Sequence, residues 1–350
     1  MTRILITGNM GYIGPVLIRH LRKKYPNAEL IGYDVGYFAN CLTNAAFFPD
    51  IQLSHQIFGD VRNFPPSLLK DIDAVIFLAA ISNDPMGKQY EEITMQVNCH
   101  SAIKMAEAAK NEGVKSFVFA SSCSIYGAAD DAPKKENDKL NPLTAYARSK
   151  VEAEIGLEKL ASESFTVTCF RFGTACGFSE RLRLDLVLND FVASALINKE
   201  ITILSDGTPW RPLINVQDMA RAIEFGINRQ KENGGNFLAV NTGSKIWNYQ
   251  IKDLAEMVAK VIPDTKVNIN KDASPDKRSF RVSFDLYEKV APHHQPLQNL
   301  EETVKTLYQN LECLNFSDKN FRNSELIRLR VLRSLQEKKL LNESLIWNWI

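Results

Sequence analysis

No long hydrophobic segment is present. The longest wholly apolar run is Ala74 to Ile81, far short of the roughly 20 residues that span a bilayer. Cysteines are few, and the six (Cys41, Cys99, Cys123, Cys169, Cys176 and Cys313) form no CxxC pair. A zinc site or a secreted disulfide framework needs tighter grouping. Five histidines show no HExxH spacing, so no metal site is expected. Charge of one sign is lacking too: 42 basic against 41 acidic residues leave a formal +1. That balance gives no global footprint for nucleic acid or a membrane surface. The opening residues, MTRILITGNM, read as the start of a strand and not as a signal peptide. A reducing cytoplasm is the expected compartment. There is no internal repeat or low-complexity tract. With 45% hydrophobic and 24% charged residues over 350 positions, the chain has the composition of one large or two intimate folded domains.

What is present is alternation. Short apolar runs at Arg3–Ile6, Leu30–Tyr33, Ile57–Phe58, Ala74–Ala80, Ser116–Ala120 and Thr166–Phe172 read as strands. Helical patterns lie between them: one after Gly14, then Asn98–Gly113 and Tyr146–Leu160. This βαβ rhythm predicts an α/β, Rossmann-like, doubly wound parallel sheet. After about Arg171 the pattern becomes less regular, with helices at Asp185–Ile197 and Gln217–Ile227. We expect residues 1–170 and about 214–245 to form a dinucleotide domain. A smaller mixed α/β substrate lobe would take about 171–213 and 246–310. Residues 311–350 read as a helical extension that docks on the rest; binding of a partner is the other reading.

Gly8-x-x-Gly11-x-x-Gly14 falls between the first strand and the first helix. Small residues there let the backbone turn and approach a pyrophosphate, whose charge the helix N-terminus meets. Asp34 closes the second strand, where a carboxylate accepts from both ribose hydroxyls and repels a 2′-phosphate. The predicted cofactor is therefore NAD. Asp60-Val61 is a candidate adenine contact, and Leu78-Ala79-Ala80 would let the backbone pass close to the dinucleotide. Tyr146 and Lys150 stand four apart on one helix face. A cation beside a phenol favours the phenolate, so Tyr146 becomes a base for a substrate hydroxyl while hydride leaves the same carbon. Ser122, at a strand's carboxyl end, would orient that hydroxyl.

The segments TGNMGYIG, YDVG, GDVRN, LAA, SSCSIYG and YARSK together resemble the extended short-chain dehydrogenase/reductase family, in its NAD-dependent epimerase/dehydratase branch. The resemblance runs over about residues 1 to 300 and is densest in the first 175. It implies action on nucleotide-activated sugars and a triad of Ser122, Tyr146 and Lys150. It also implies cofactor contacts from the loop Gly8, Gly11, Tyr12, Ile13 and Gly14, and a supporting role for Asn98 beneath the lysine's helix. Asn189 matches an asparagine that touches the substrate diphosphate, Arg211 an arginine that pairs with it, and Arg281 a further candidate. A diphosphate suits a fork of guanidinium donors; a surface ion pair with Asp218 or Asp206 is the other reading of Arg211.

The departures narrow the chemistry. Cys123 and Ser124 follow Ser122 where sugar 4,6-dehydratases of the branch carry an Asp-Glu pair. Asn215 stands where a histidine is frequent, and Gly173-Thr174 replaces the usual pair near the nicotinamide. The expected reaction is epimerisation of a nucleotide sugar at C4 through transient oxidation. The alternatives are net dehydrogenation or reduction, a dehydratase, or a NAD-sensing module without chemistry. The alanine-rich helices Asn98–Gly113 and Tyr146–Leu160 are expected to pair in a homodimer.

Overall fold

The computed structural model describes residues 2–43, 48–128, 132–270, 273 and 279–348. Among these, seven strands form one parallel sheet: β1 (Arg3–Thr7), β2 (Glu29–Asp34), β3 (His55–Phe58), β4 (Ala74–Phe77), β5 (Ser116–Ser122), β6 (Thr166–Phe172) and a last strand, Phe237–Thr242. From one edge to the other the order is Phe237–Thr242, β6, β5, β4, β1, β2, β3. The chain thus winds one way from β1 to β3 and the other way from β4, and the order reverses between β1 and β4. A crevice opens there, at the carboxyl ends of the strands.

Side chains alternate across these strands, so each face needs its own cover. Ile4, Ile6, Ile76, Val118 and Phe170 pack on one face with the helices Gly14–Lys24 and Val216–Asn228. Leu5, Val75, Phe77, Phe117 and Phe119 pack on the other with Ser101–Asn111 and Ala145–Glu158. Helices on both faces are what a parallel sheet requires. Beyond the sheet, Thr174–Cys176, Trp210–Asn215 and Asn248–Gln250 make a three-stranded sheet. Glu200–Ile203 pairs in parallel with Lys266–Ile269.

Three expectations are corrected. The fourth strand stops at Phe77 rather than Ala80. The Leu78 N–H still donates to the Thr7 carbonyl (3.1 Å), but the Ala79 N–H leaves the ladder and meets the Thr7 hydroxyl (3.4 Å). The helix expected from Asn98 starts at Ser101, after a π-helical turn, Gln96–His100, that turns Asn98 inward. The last forty residues are not continuously helical. Leu300–Cys313 ends before Asn315, which takes a positive φ of 50°, and one further helix, Arg328–Glu337, follows. Lys339 and Leu345 also take positive φ, and a bridge joins Leu341 to Trp347. Among the described residues, no helix is long and apolar enough to cross a membrane.

Candidate active site

The crevice holds a cavity of about 940 Å³ that runs from the glycine loop to the irregular half of the chain. Its size is at the upper end of small-molecule sites, as two ligands side by side require.

The cofactor end is made of backbone. Gly8 has φ +70°, and a Cβ there would lie 2.5 Å from the Ala79 nitrogen. A Cβ on Gly14 would lie 1.7 Å from the Asn9 carbonyl oxygen, so only glycine lets the helix Gly14–Lys24 begin this close to β1. Gly11 lines the cavity, and a Cβ there would meet only the Gly8 carbonyl. The helix start has no side-chain cap, so first-turn N–H groups other than that missing at Pro15 are left for an anion. Asp34 is buried; one oxygen accepts from the Met10 N–H (2.9 Å) and the other from the Gly36 N–H (2.7 Å). Burial raises its carboxyl above the usual range, against those two bonds. Tyr12, Ile13, Val61, Leu78, Ala79 and Ala80 line the same wall. Asp60 lines it too, but its carboxylate is already held by Arg62, Nε at 2.9 Å and the backbone N–H at 2.9 Å. These residues fit a dinucleotide: glycines at the close approaches, helix N–H groups for a pyrophosphate, and a buried carboxylate for a ribose.

The residues expected to carry the chemistry meet where β5 ends. Ser122, Tyr146 and Lys150 all line the cavity. Thr144 caps their helix by accepting from the Ala147 N–H (3.1 Å), and its hydroxyl donates to Asp84 (2.7 Å). Lys150 donates to the Ala120 carbonyl (2.7 Å) and lies 5.7 Å from the centre of the Tyr146 ring. Burial lowers its ammonium to about 7. Burial also pushes the Tyr146 phenol up to about 12; the hydrogen bond with Ser122 opposes this, Asp84 adds to it, and Arg183 opposes it. The phenol therefore lies above its ordinary range here, and not below it as expected. Desolvation outweighs the neighbouring charges, and Arg183 is a cation that opposes it. Asn98 is fully buried and accepts from the Ile81 N–H (2.8 Å) while donating to the Ile81 carbonyl (3.0 Å) and the Ser149 hydroxyl (3.0 Å). Ser149 donates in turn to the Tyr146 carbonyl (2.7 Å). Asn98 thus ties the segment after β4 to the helix that carries Tyr146 and Lys150.

At the far end the predictions divide. Arg211 lines the cavity, and its guanidinium donates to the Trp210 carbonyl (2.8 Å). The Asp218 carboxylate accepts from the Leu297 and Gln298 N–H groups, and Asp206 accepts from Thr208. Arg281 lies over the Trp210 ring at 5.1 Å and is not among the residues that line the cavity. Asn189 is fully buried below the cavity: its oxygen accepts from Gly177 N–H (3.0 Å) and its amide donates to the Arg183 carbonyl (2.9 Å). It fixes the turn from Gly177 to Arg183 instead of facing a ligand. Asn215 caps the helix Val216–Asn228 and donates to Thr303 (2.9 Å). Sequence reasoning missed Arg183 and Asp185, which line the cavity as a bidentate pair at 2.9 and 3.0 Å. Ser82 accepts from Arg183, and Asn83 donates to Asp185. Their only signal was two opposite charges inside the apolar run LRLDLVL.

Comparison with known proteins decides the family. A sequence model described as the NAD dependent epimerase/dehydratase family matches residues 4–243. The chain belongs to that family. Its cofactor is NAD, and it is an enzyme of the nucleotide-sugar epimerase/dehydratase kind. The UDP-glucose 4-epimerase of Corynebacterium glutamicum is 25% identical over 276 residues, 74% of this chain and 80% of that protein. The dTDP-D-glucose 4,6-dehydratase of Dictyostelium discoideum is 28% identical over 270 residues, 71% of this chain and 60% of that protein. The UDP-glucuronic acid 4-epimerase of Bacillus cereus, solved with UDP-glucuronic acid and NAD, shares the fold with a TM-score of 0.75 at 22% identity. That match covers 89% of this chain and 100% of that one. In this family member, the two residues directly after Ser122, Cys123 and Ser124, carry no carboxylate. The Cys123 thiol donates to the Arg171 carbonyl (3.0 Å), and burial pushes its pKa up, away from a thiolate. Ser124 lines the cavity beside it.

Proposed function

We propose that the chain inverts one hydroxyl-bearing carbon of a nucleotide sugar, C4, by transient oxidation and hydride return. The observation that carries this reading is the joint placement of Ser122, Tyr146 and Lys150 on the cavity, with the neutral pair Cys123 and Ser124 where a dehydratase needs acids. Bound NAD supplies a hydride acceptor that becomes the donor in the return step. Ser122 holds the sugar hydroxyl against Tyr146, whose oxygen takes the proton and gives it back. Lys150, fixed by the Ala120 carbonyl, supports the phenolate from behind the ring. Arg183 stabilises the same charge from the cavity side. Arg211 is the residue proposed to meet the sugar nucleotide's diphosphate. A buried thiol held by a carbonyl cannot shuttle the proton that loss of water demands.

The test is incubation of the purified enzyme with NAD and a panel of UDP- and dTDP-sugars. Proton NMR reads the products and the NADH absorbance band reads the cofactor. A C4 isomer without accumulating NADH is expected. NADH formed in proportion to product, or a 4-keto-6-deoxy sugar, overturns the reading.

We also propose that two copies pair through the helices Ser101–Asn111 and Ala145–Glu158. Gly156 lets Ile103 pack closely between them, since a Cβ there would lie 2.3 Å from the Ile103 side chain. Ile155 then stands 52% exposed on the shared face. Light scattering is expected to give a dimer that Ile155→Glu splits; a wild-type monomer at working concentration refutes the pairing.

A further inference from the structure

The chain beyond Asn315 touches both ends of the cavity and lies outside the segment matched by the family model. On the sugar side, the Arg322 guanidinium pairs with Asp190 at 2.8 Å. The helix Arg328–Glu337 lies against Asp84–Gln89, where Arg333 donates to Gln89 (2.9 Å) and Tyr90 to Gln336 (2.7 Å). The last residues cross the loop after β2. Arg62 donates to the Ser344 carbonyl (2.7 Å) and the Trp347 indole to the Val35 carbonyl (2.7 Å).

Arg328 stands out within this extension. It lines the cavity, yet only 1% of it is exposed. Its guanidinium donates to the Arg181 carbonyl (2.6 Å) and more weakly to the Glu325 carbonyl (3.4 Å), and lies 4.9 Å from the centre of the Phe38 ring. Among the described residues no carboxylate comes within ion-pair distance of it. Its two nearest cations have acids of their own: Arg181 holds Asp50 at 2.7 Å, and Arg183 holds Asp185 at 2.9 Å. Burial lowers the Arg328 guanidinium to about 10; Cys41 and Asp185 oppose this, and Arg183 and Arg181 add to it. It therefore remains a cation at neutral pH. A buried charge met only by carbonyls and a ring face is costly to fold around. That cost falls when an anion enters from the cavity.

We propose that Arg328 is a diphosphate-binding residue, supplied to the site by the extension and fully paired only when a ligand is bound. A guanidinium fork matches two phosphate oxygens at once. Both the dinucleotide and a nucleotide sugar carry a diphosphate. The surroundings favour the dinucleotide: Phe38 lies just past Asp34 on the ribose side, and Tyr12 of the glycine loop feels the charge of Arg328. The dinucleotide assignment rests on family membership; the sugar assignment rests on the function proposed above.

The experiment uses full-length protein stripped of nucleotide, in wild-type and Arg328→Met forms. Isothermal titration compares ADP-ribose with adenosine, and UDP with uridine. A charge-assisted hydrogen bond predicts an ADP-ribose affinity about 10- to 100-fold lower in the variant, with adenosine unchanged. Selective loss of UDP affinity supports the same chemistry and moves the source to the sugar nucleotide. Arg328→Gln, which keeps amide donors toward the two carbonyls, replaces the methionine variant if that one does not fold. Equal loss for diphosphate and nucleoside ligands, or no loss for any, overturns the proposal.

Discussion

At the cofactor end the cavity wall is backbone from neighbouring turns; at the sugar end it is side chains brought together from distant parts of the chain. Gly8, Gly11 and Gly14 sit within one loop, and Asp34 accepts N–H groups from Met10 and Gly36. Arg183, by contrast, meets Ser82 across 101 positions, and Arg322 meets Asp190 across 132. The first arrangement follows from local geometry, because a strand, a tight turn and a helix start leave little freedom. The second exists only after the irregular half has packed. The cofactor end is therefore a fixed platform, and the sugar end is where relatives with one cofactor can differ in reaction.

The sharpest way to separate the two ends is Tyr146→Phe. It removes one oxygen at the chemical end and leaves the glycine loop and Asp34 untouched. Turnover is expected to fall about 10²- to 10⁴-fold, the range of general acid–base catalysis, with bound NAD unchanged in stoichiometry. Equal loss of turnover and NAD would mean that the two ends are not independent.

Two buried cations sharpen the contrast further. Lys150 can shed its proton, and burial lowers it from 10.5 to about 7. Arg328 keeps its proton at neutral pH and must be met by an anion. The unfolded chain holds the Lys150 proton up to about 10.5, whereas the folded one releases it near 7. Between these limits the unfolded state binds more protons, so this group makes stability rise with pH. The slope is at most about 1.4 kcal/mol per pH unit. Apo Lys150→Met lacks that slope. Its stability relative to wild type is expected to be greatest near pH 7 and to shrink toward pH 10, as read by urea unfolding at several pH values. A constant difference would mean that Lys150 stays charged in the fold.

How much of this was legible follows from the same contrast. The parallel sheet, the glycine loop, Asp34 and the YxxxK helix all announce themselves in short segments, since backbone turns and helical spacing are local properties. The strand end at Phe77 and the π turn before Ser101 were not legible, because long-range bonds, from Ala79 to the Thr7 hydroxyl and from Asn98 to Ile81 and Ser149, set both boundaries. Asn189 shows the limit of motif matching. Its position in the chain fits a ligand contact, but the Gly177–Arg183 turn takes every polar atom it has. Arg183 and Arg328 were hidden for the opposite reason: a charge in an apolar or basic run gives no sign of being turned inward until the partner segments are in place.

A gentler change tests whether the extension belongs to the cofactor end in more than position. The Trp347 indole donates to the Val35 carbonyl, and its ring lies 5.8 Å from that of Tyr37. Tyr37 also donates to the Leu345 carbonyl. Val35 and Tyr37 follow Asp34 directly and line the cavity. Trp347→Ala removes one hydrogen bond and one ring contact from the loop that follows β2, and it touches none of Ser122, Tyr146 and Lys150. NAD release, followed by fluorescence on dilution of the loaded enzyme, is expected to quicken severalfold, while the rate of the chemical step with saturating NAD stays as in wild type. If release is unchanged and only thermal stability drops, the tail braces the fold without acting on the cofactor, and the backbone platform alone sets how long the dinucleotide stays.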